Sequence, residues 1–358
     1  MTTTPTVAPR ELALLRLVAQ RLAGPPAADA AAAVGGLLCV QGQDYPGALT
    51  SVALRTRDRS LSGVRAALDG GTVVRSWPMR GTLHLLPAGD LHWLLELCSP
   101  RVLAGAVRRR AQVGLTEADL ERRRELACGA LGGGRRLTRA ALLEALGAGV
   151  DVGGQRGYHV LWYLSQTGTL VMGPTDDGEQ AFVLLDEWVP SPRRLSREES
   201  LGELARRYLA GHGPASEADL ARWAGLGLRD VRAGIGAVRD EFASLEVDGR
   251  ELLMPPDLPD RLAACRAEVE DAVLLLPGFD EFVLGYADRT CAVPAEFAQQ
   301  IVPGNNGMFR STVVHRGQVV GVWRWKGSGA RRVPAPEPFT EFPDDVAAAI
   351  PELAAALP

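Results

Sequence analysis

A chain of 358 residues with 46% hydrophobic side chains is too long for one ordinary core and is expected to hold two to four units. The net charge of −4 excludes polyanion binding by bulk charge, so any such binding must come from local placement. The balance is uneven: residues 1–150 carry 19 arginines against 12 acidic side chains, a net of +7, while the remainder nets −11, which is compatible with a polyanion partner at the front.

Helical periodicity covers residues 11–22 and 27–40, the second stretch rich in alanine. It runs into Leu37-Leu38-Cys39-Val40-Gln41-Gly42-Gln43-Asp44-Tyr45-Pro46-Gly47, where two glutamines stand one residue apart. In an extended backbone Gln41 and Gln43 project to one face and can address one ligand; in a continuing helix they diverge by about 200°. Pro46 favours the extended case by biasing Tyr45 out of the helical region, with Gly42 and Gly47 loosening the chain on either side. The plain alternative is a pair of polar residues at a helix C-terminus.

A helix is expected over residues 61–68, and Val73-Val74-Arg75 begins a strand. In Ser76-Trp77-Pro78-Met79-Arg80-Gly81-Thr82-Leu83-His84-Leu85, an extended backbone over 79–85 places Arg80, Thr82 and His84 on one face and Leu83 and Leu85 on the other. One face packs; the other either grips a phosphate or pairs with neighbouring acids. The clusters Arg108-Arg109-Arg110 and Arg122-Arg123-Arg124 each wind around a helix, which reads mainly as solvated surface and secondarily as phosphate contact.

Residues 137–146 form a helix with Thr138 as N-cap, and 157–166 a second. Thr169-Leu170-Val171-Met172 and Ala181-Phe182-Val183-Leu184-Leu185 then flank turn residues 173–178, giving the helix, helix, hairpin order of a winged helix. The order recurs: a helix at 201–209, Ser216 and Asp219 as a capping box, a short helix at 218–224, the turn Gly225-Leu226-Gly227, a helix at 228–242, and a hairpin over 245–253 turning at Asp248-Gly249. Arg229, Arg232 and Arg239 are mixed with Asp230, Asp240 and Glu241, so that helix reads mainly as a solvated face. Further on, residues 273–276 are a buried strand and 311–324 a hairpin turning at Arg316-Gly317. The expected fold class is α+β, with three tandem winged-helix units at 1–100, 101–197 and 198–271, then a β-rich unit at 272–358.

The five cysteines show no paired spacing, and neither a zinc site nor a disulfide framework is signalled. Asp280, Glu281 and Asp288 suggest a metal, but Pro277, Phe279 and Tyr286 around them read as core and turn, so no metal is expected. Lys326 is the only lysine, and Schiff-base chemistry would need it or an N-terminal amine. Met1-Thr2-Thr3-Thr4-Pro5 lacks the basic start of a secretion leader, and no run approaches the ~18 apolar residues needed to span a bilayer. A cytoplasmic protein is expected.

Residues 37–44 and 76–85, together with Leu276-Pro277-Gly278-Phe279-Asp280-Glu281-Phe282-Val283-Leu284-Gly285-Tyr286, resemble the AlkZ-like DNA glycosylases, a family of tandem winged-helix proteins, and the resemblance covers almost the whole chain. It implies a monofunctional, cofactor-free glycosylase that removes cationic alkylated purines from double-stranded DNA, acting as a nucleoid-associated monomer. Some members of the family protect producers of alkylating metabolites by releasing bulky adducts or crosslinks. Gln41 and Gln43 match the family's catalytic QxQ glutamines; Arg80, Thr82 and His84 take DNA-facing roles. One departure matters: Gly42 stands where the family usually has an aliphatic residue. Gln43, which matches the motif, rules out the carboxylate base of the related subgroup with Asp there. A non-catalytic winged-helix regulator and a scaffold engaging a protein through the acidic half are the competing readings.

Overall fold

The computed structural model describes residues 7–147, 154–176 and 178–358. The expectation drawn from Met1 to Pro5, and Asp177 of the expected hairpin turn, lie outside the described residues. Helices and antiparallel strands are mixed throughout. By compactness the chain divides into two units: Met1–Gly63 with Leu201–Pro358, and Val64–Ser200. The boundary expected at 100/101 falls inside the second of these.

In the first unit, the helix Pro9–Ala19 is buried along nearly its whole length and packs against the helix Leu258–Asp271. Leu12, Leu15 and Val18 of the former join Leu258, Leu262 and Val269 of the latter in one apolar core. The helix Ala30–Leu37 starts at Asp29, whose side chain accepts the Ala32 N–H at 2.8 Å. It is shorter than the expected 27–40, and Val40–Gln41 follows as extended chain. The next helix, Tyr45–Ala53, corrects the reading of Pro46: the proline stands in its first turn, where its missing N–H costs nothing, so Tyr45 is helical rather than extended.

Further along this unit the expected order is found. Glu217–Ala224 is opened by a Ser216/Asp219 capping box and closed by Gly225 in the left-handed conformation. Leu228–Val238 follows, then the hairpin Ala243–Val247 and Arg250–Met254, turning at Asp248 and Gly249, both with positive φ. Arg232 pairs with Glu217 and Arg239 with Glu251, as a solvated face requires. Beyond it, strands Val273–Leu276, Ser311–His315 and Gln318–Lys326 pair antiparallel. A fourth, Val333–Pro338, takes the sheet edge against Gln318–Lys326 and was not anticipated. The helix Asp344–Ala355 covers the sheet through Val346 and Ile350.

The second unit is built on an antiparallel sheet in the order Thr82–Pro87, Val73–Met79, Leu170–Asp176, Glu179–Leu184, Leu137–Thr138. Leu137 and Thr138, expected to open a helix, form a short strand against Phe182 and Ala181. Thr138 still caps, its hydroxyl accepting the Ala141 N–H at 3.4 Å ahead of the helix Arg139–Gly147. Helices Glu117–Leu131 and Gly154–Gln166 complete a core around Leu120, Leu131, Leu161 and Leu164. Each arginine cluster does wind around its helix: Arg110 and Arg123 are buried, while Arg108, Arg109 and Arg122 are exposed.

Candidate active site

The glutamine pair follows a sharply bent chain. Leu38 closes the preceding helix with φ 66° and ψ −51°, and the Cys39 N–H bonds the Leu37 carbonyl at 2.8 Å. That is a γ-turn of the rare, strained kind, held by a leucine fully buried in the core. It redirects the chain out of the helix so that Val40–Gln41 leaves extended. The Gln41 N–H donates to Glu281 Oε1 at 2.9 Å, and Gln41 Oε1 accepts the Gln43 N–H at 2.5 Å. The two glutamines therefore differ: Gln41 is only 5% exposed and folds over Gly42, while Gln43 is exposed.

Beneath them lies a buried polar network. Asp280 caps the short helix Glu281–Leu284 by accepting the Phe282 N–H, and it meets Arg55 two-pronged at 2.8 and 2.9 Å. The Ser51 hydroxyl donates to the same carboxylate at 2.6 Å. Burial alone would raise the Asp280 carboxyl, but Arg55 and the Ser51 and Phe282 hydrogen bonds outweigh it and hold the group below its usual value. Gln20 joins in: its amide oxygen accepts from Arg55 Nη2, and its Nε2 donates to the Glu281 carbonyl and to the Tyr286 hydroxyl. Burial pushes Tyr286 up, so it stays protonated and donates to the His212 carbonyl at 2.8 Å. Two glycines let these segments approach. A Cβ at Gly47 would lie 2.5 Å from Asp44 Oδ2 and 3.5 Å from the Gly278 carbonyl, and one at Gly278 2.7 Å from the Phe309 carbonyl.

Glu281 is fully buried, its Oε2 accepting the Trp223 indole N–H at 2.9 Å and lying 3.4 Å from His212 Nε2. Asp288 pairs with Arg250 and accepts from Thr290. The three acids that suggested a metal thus have separate partners, and no group of three ligating side chains is found among the described residues. Arg55, Ser51, His212 and Trp223 were not anticipated as parts of this centre. In the sequence, Asp280 and Glu281 stand out as acids of a possible metal set and as part of the 276–286 segment, with no sign of their bonds to the glutamine motif.

In the second unit the backbone over 79–85 is not extended throughout but is broken by a turn. The strands Val73–Met79 and Thr82–Pro87 turn at Arg80 (φ 54°) and Gly81 (φ 70°), so Arg80 sits on a hairpin tip rather than on a strand face with Thr82 and His84. Arg80 still reaches His84: its Nη2 lies 3.0 Å from Nε2, while Nδ1 lies 2.9 Å from the Thr82 carbonyl. The arginine can only donate and the carbonyl only accept, so the ring carries its proton on Nδ1. His84 is fully buried, and Thr82 and Arg80 are partly so.

Against known proteins, the family model described as DNA glycosylase AlkZ-like matches residues 34–357. An interstrand DNA cross-link repair glycosylase of Streptomyces sahachiroi is 28% identical over 313 residues, covering 84% of this chain and 82% of that protein. The solved structure of Streptomyces sahachiroi DNA glycosylase AlkZ superposes with a TM-score of 0.76 at 26% identity, covering 98% of each chain.

Proposed function

From the premise that this chain belongs to the AlkZ-like DNA glycosylase family, and is therefore an enzyme rather than a regulator or scaffold, we propose that it hydrolyses the N-glycosidic bond of cationic alkylated purines in double-stranded DNA. N7- and N3-alkyl adducts are its substrates, and bulky adducts or interstrand crosslinks fall in the same class, as the printed name of the Streptomyces sahachiroi relative suggests. It acts as a monomer, without metal or cofactor, at the nucleoid in the cytoplasm. Residues 198–271, with two helices followed by a hairpin, form a winged-helix unit of this enzyme.

The chemistry suits amides. An N7- or N3-alkylated purine is already cationic and leaves as a neutral base, so general-acid help is unnecessary. Positive charge instead collects on the sugar in the transition state, where carboxamide oxygens stabilise it and hold the attacking water. The observation that carries this reading is the exposed Gln43 on a backbone pinned by Gln41 Oε1. Gln43 addresses the sugar and water, and Gln41 supplies the second amide. With lysine confined to Lys326, hydrolysis without a Schiff base is the consistent course. Arg80 on its hairpin tip, with Thr82 and His84 behind it, contacts the DNA backbone.

The test is a duplex carrying one 7-methylguanine, incubated with the protein and then heated in alkali. Strand cleavage by the unmodified protein, lost in Gln43→Ala, is expected; binding without cleavage sinks the proposal.

A further inference from the structure

The residues that fix the glutamine pair are two adjacent acids about 240 positions away in sequence. Glu281 bonds the chain where it enters the motif, at the Gln41 N–H. Asp280 grips the helix that leaves it, through Ser51 and Arg55. Between these anchors Gly42 imposes no stiffness of its own. Glu281 is itself held: Oε1 accepts the Gln41 N–H, Oε2 accepts the Trp223 indole N–H with His212 Nε2 3.4 Å away, and its carbonyl accepts from Gln20. Trp223 and His212 around it are buried, with the His212 ring stacked on Tyr208 at 4.6 Å. A continuous path of hydrogen bonds therefore runs from a buried carboxylate through Gln41 to the backbone of the exposed Gln43.

We propose that Glu281 is a positioning residue for glycosidic bond cleavage, fixing Gln41 and through it the aim of Gln43, in place of the stiffness an aliphatic residue would give at Gly42. The inference rests on the reading that Gln43 touches the substrate. Both oxygens of the Glu281 side chain accept an N–H, and misplacing a reacting group by about 1 Å can cost about a hundredfold in rate. Glutamine at 281 keeps the shape but has one acceptor where two N–H donors converge, so its NH2 must oppose either Gln41 or Trp223. Removing the indole N–H relieves that conflict.

The experiment measures single-turnover release of 7-methylguanine from duplex DNA, with duplex affinity and thermal melting, for the full chain and its variants. Glu281→Gln is expected to slow release about 10- to 100-fold with affinity within about twofold, and Glu281→Gln with Trp223→Phe to recover most of the rate. A general structural role would weaken affinity and melting together and would not be rescued. Glu281→Gln as fast as the unmodified protein, or a double variant as slow as the single, overturns the proposal. Gln43→Ala separates the two layers: if it is fully active the motif reading itself fails, whereas an inactive Gln43→Ala beside an unaffected Glu281→Gln removes only the role of Glu281. Should Glu281→Gln not fold, amide hydrogen exchange on the unmodified protein decides. Slow exchange at Gln41 and Gln43 is expected, and free exchange at Gln41 contradicts the anchor.

Discussion

Asp280 and Arg55 are each about 1% exposed, and taking two charges so far out of water is costly unless every remaining donor and acceptor is matched. Here Ser51, Gln20 and the Phe282 N–H do the matching. Breaking the pair with Arg55→Met leaves a buried carboxylate unneutralised and is expected to cost about 3–5 kcal/mol, read from the urea midpoint. The pH dependence has a definite sign. The Asp280 carboxyl is held below its unfolded value, so its contribution is complete above an unfolded pKa of about 3.9 and is lost as pH falls through the lower folded value. Melting temperature in the native protein should therefore drop through that acid range more steeply than in Asp280→Asn, measured side by side. The pairing of Gln41 with Gln43 is readable in the sequence because its spacing is local. The roles of Glu281 and Arg55 are not, because the bonds that give them meaning span 240 and 225 residues.

Among the elements, Glu217–Ala224 shows what local sequence determines by itself. Ser216 accepts the Asp219 N–H while Asp219 accepts the Ser216 N–H, a reciprocal cap readable from two residues three apart. Ser216→Ala is expected to cost about 1 kcal/mol, seen as a lower urea midpoint with an unchanged slope. Elements that hinge on proline or turn geometry were harder to read. Pro46 signals a helix start as readily as an extended chain, and only the Asp44 N-cap geometry decides between them. Arg80-Gly81 is a hairpin tip because both residues take positive φ, which a non-glycine adopts at a cost that spacing does not reveal. The strand Val333–Pro338 hid behind three prolines. Alternate placement at Pro334, Pro336 and Pro338 keeps their missing donors on one side, as the outer edge of a sheet permits.

For the whole molecule, the division that sequence order suggests and the one that compactness gives differ. Residues 1–63 fold with 201–358, so the chain's two ends build the unit that holds the glutamine motif. Repeated helix and hairpin patterns identify elements, but which distant elements share a core depends on side-chain burial that no local pattern encodes. The same arrangement places the motif from the basic front half upon acids of the −11 remainder, so charge segregation along the sequence does not persist in space. The proposed chemistry depends on amide oxygens near a developing sugar cation instead of on a proton-transfer group, with the buried acids holding the motif in place. On the proposed chemistry, a neutral leaving base is not activated. The most direct measurement is base release by the purified chain from two otherwise identical duplexes, one carrying 7-methylguanine and one carrying uracil. Release of the methylated purine with none of the uracil is the predicted result, and efficient uracil release would contradict the account.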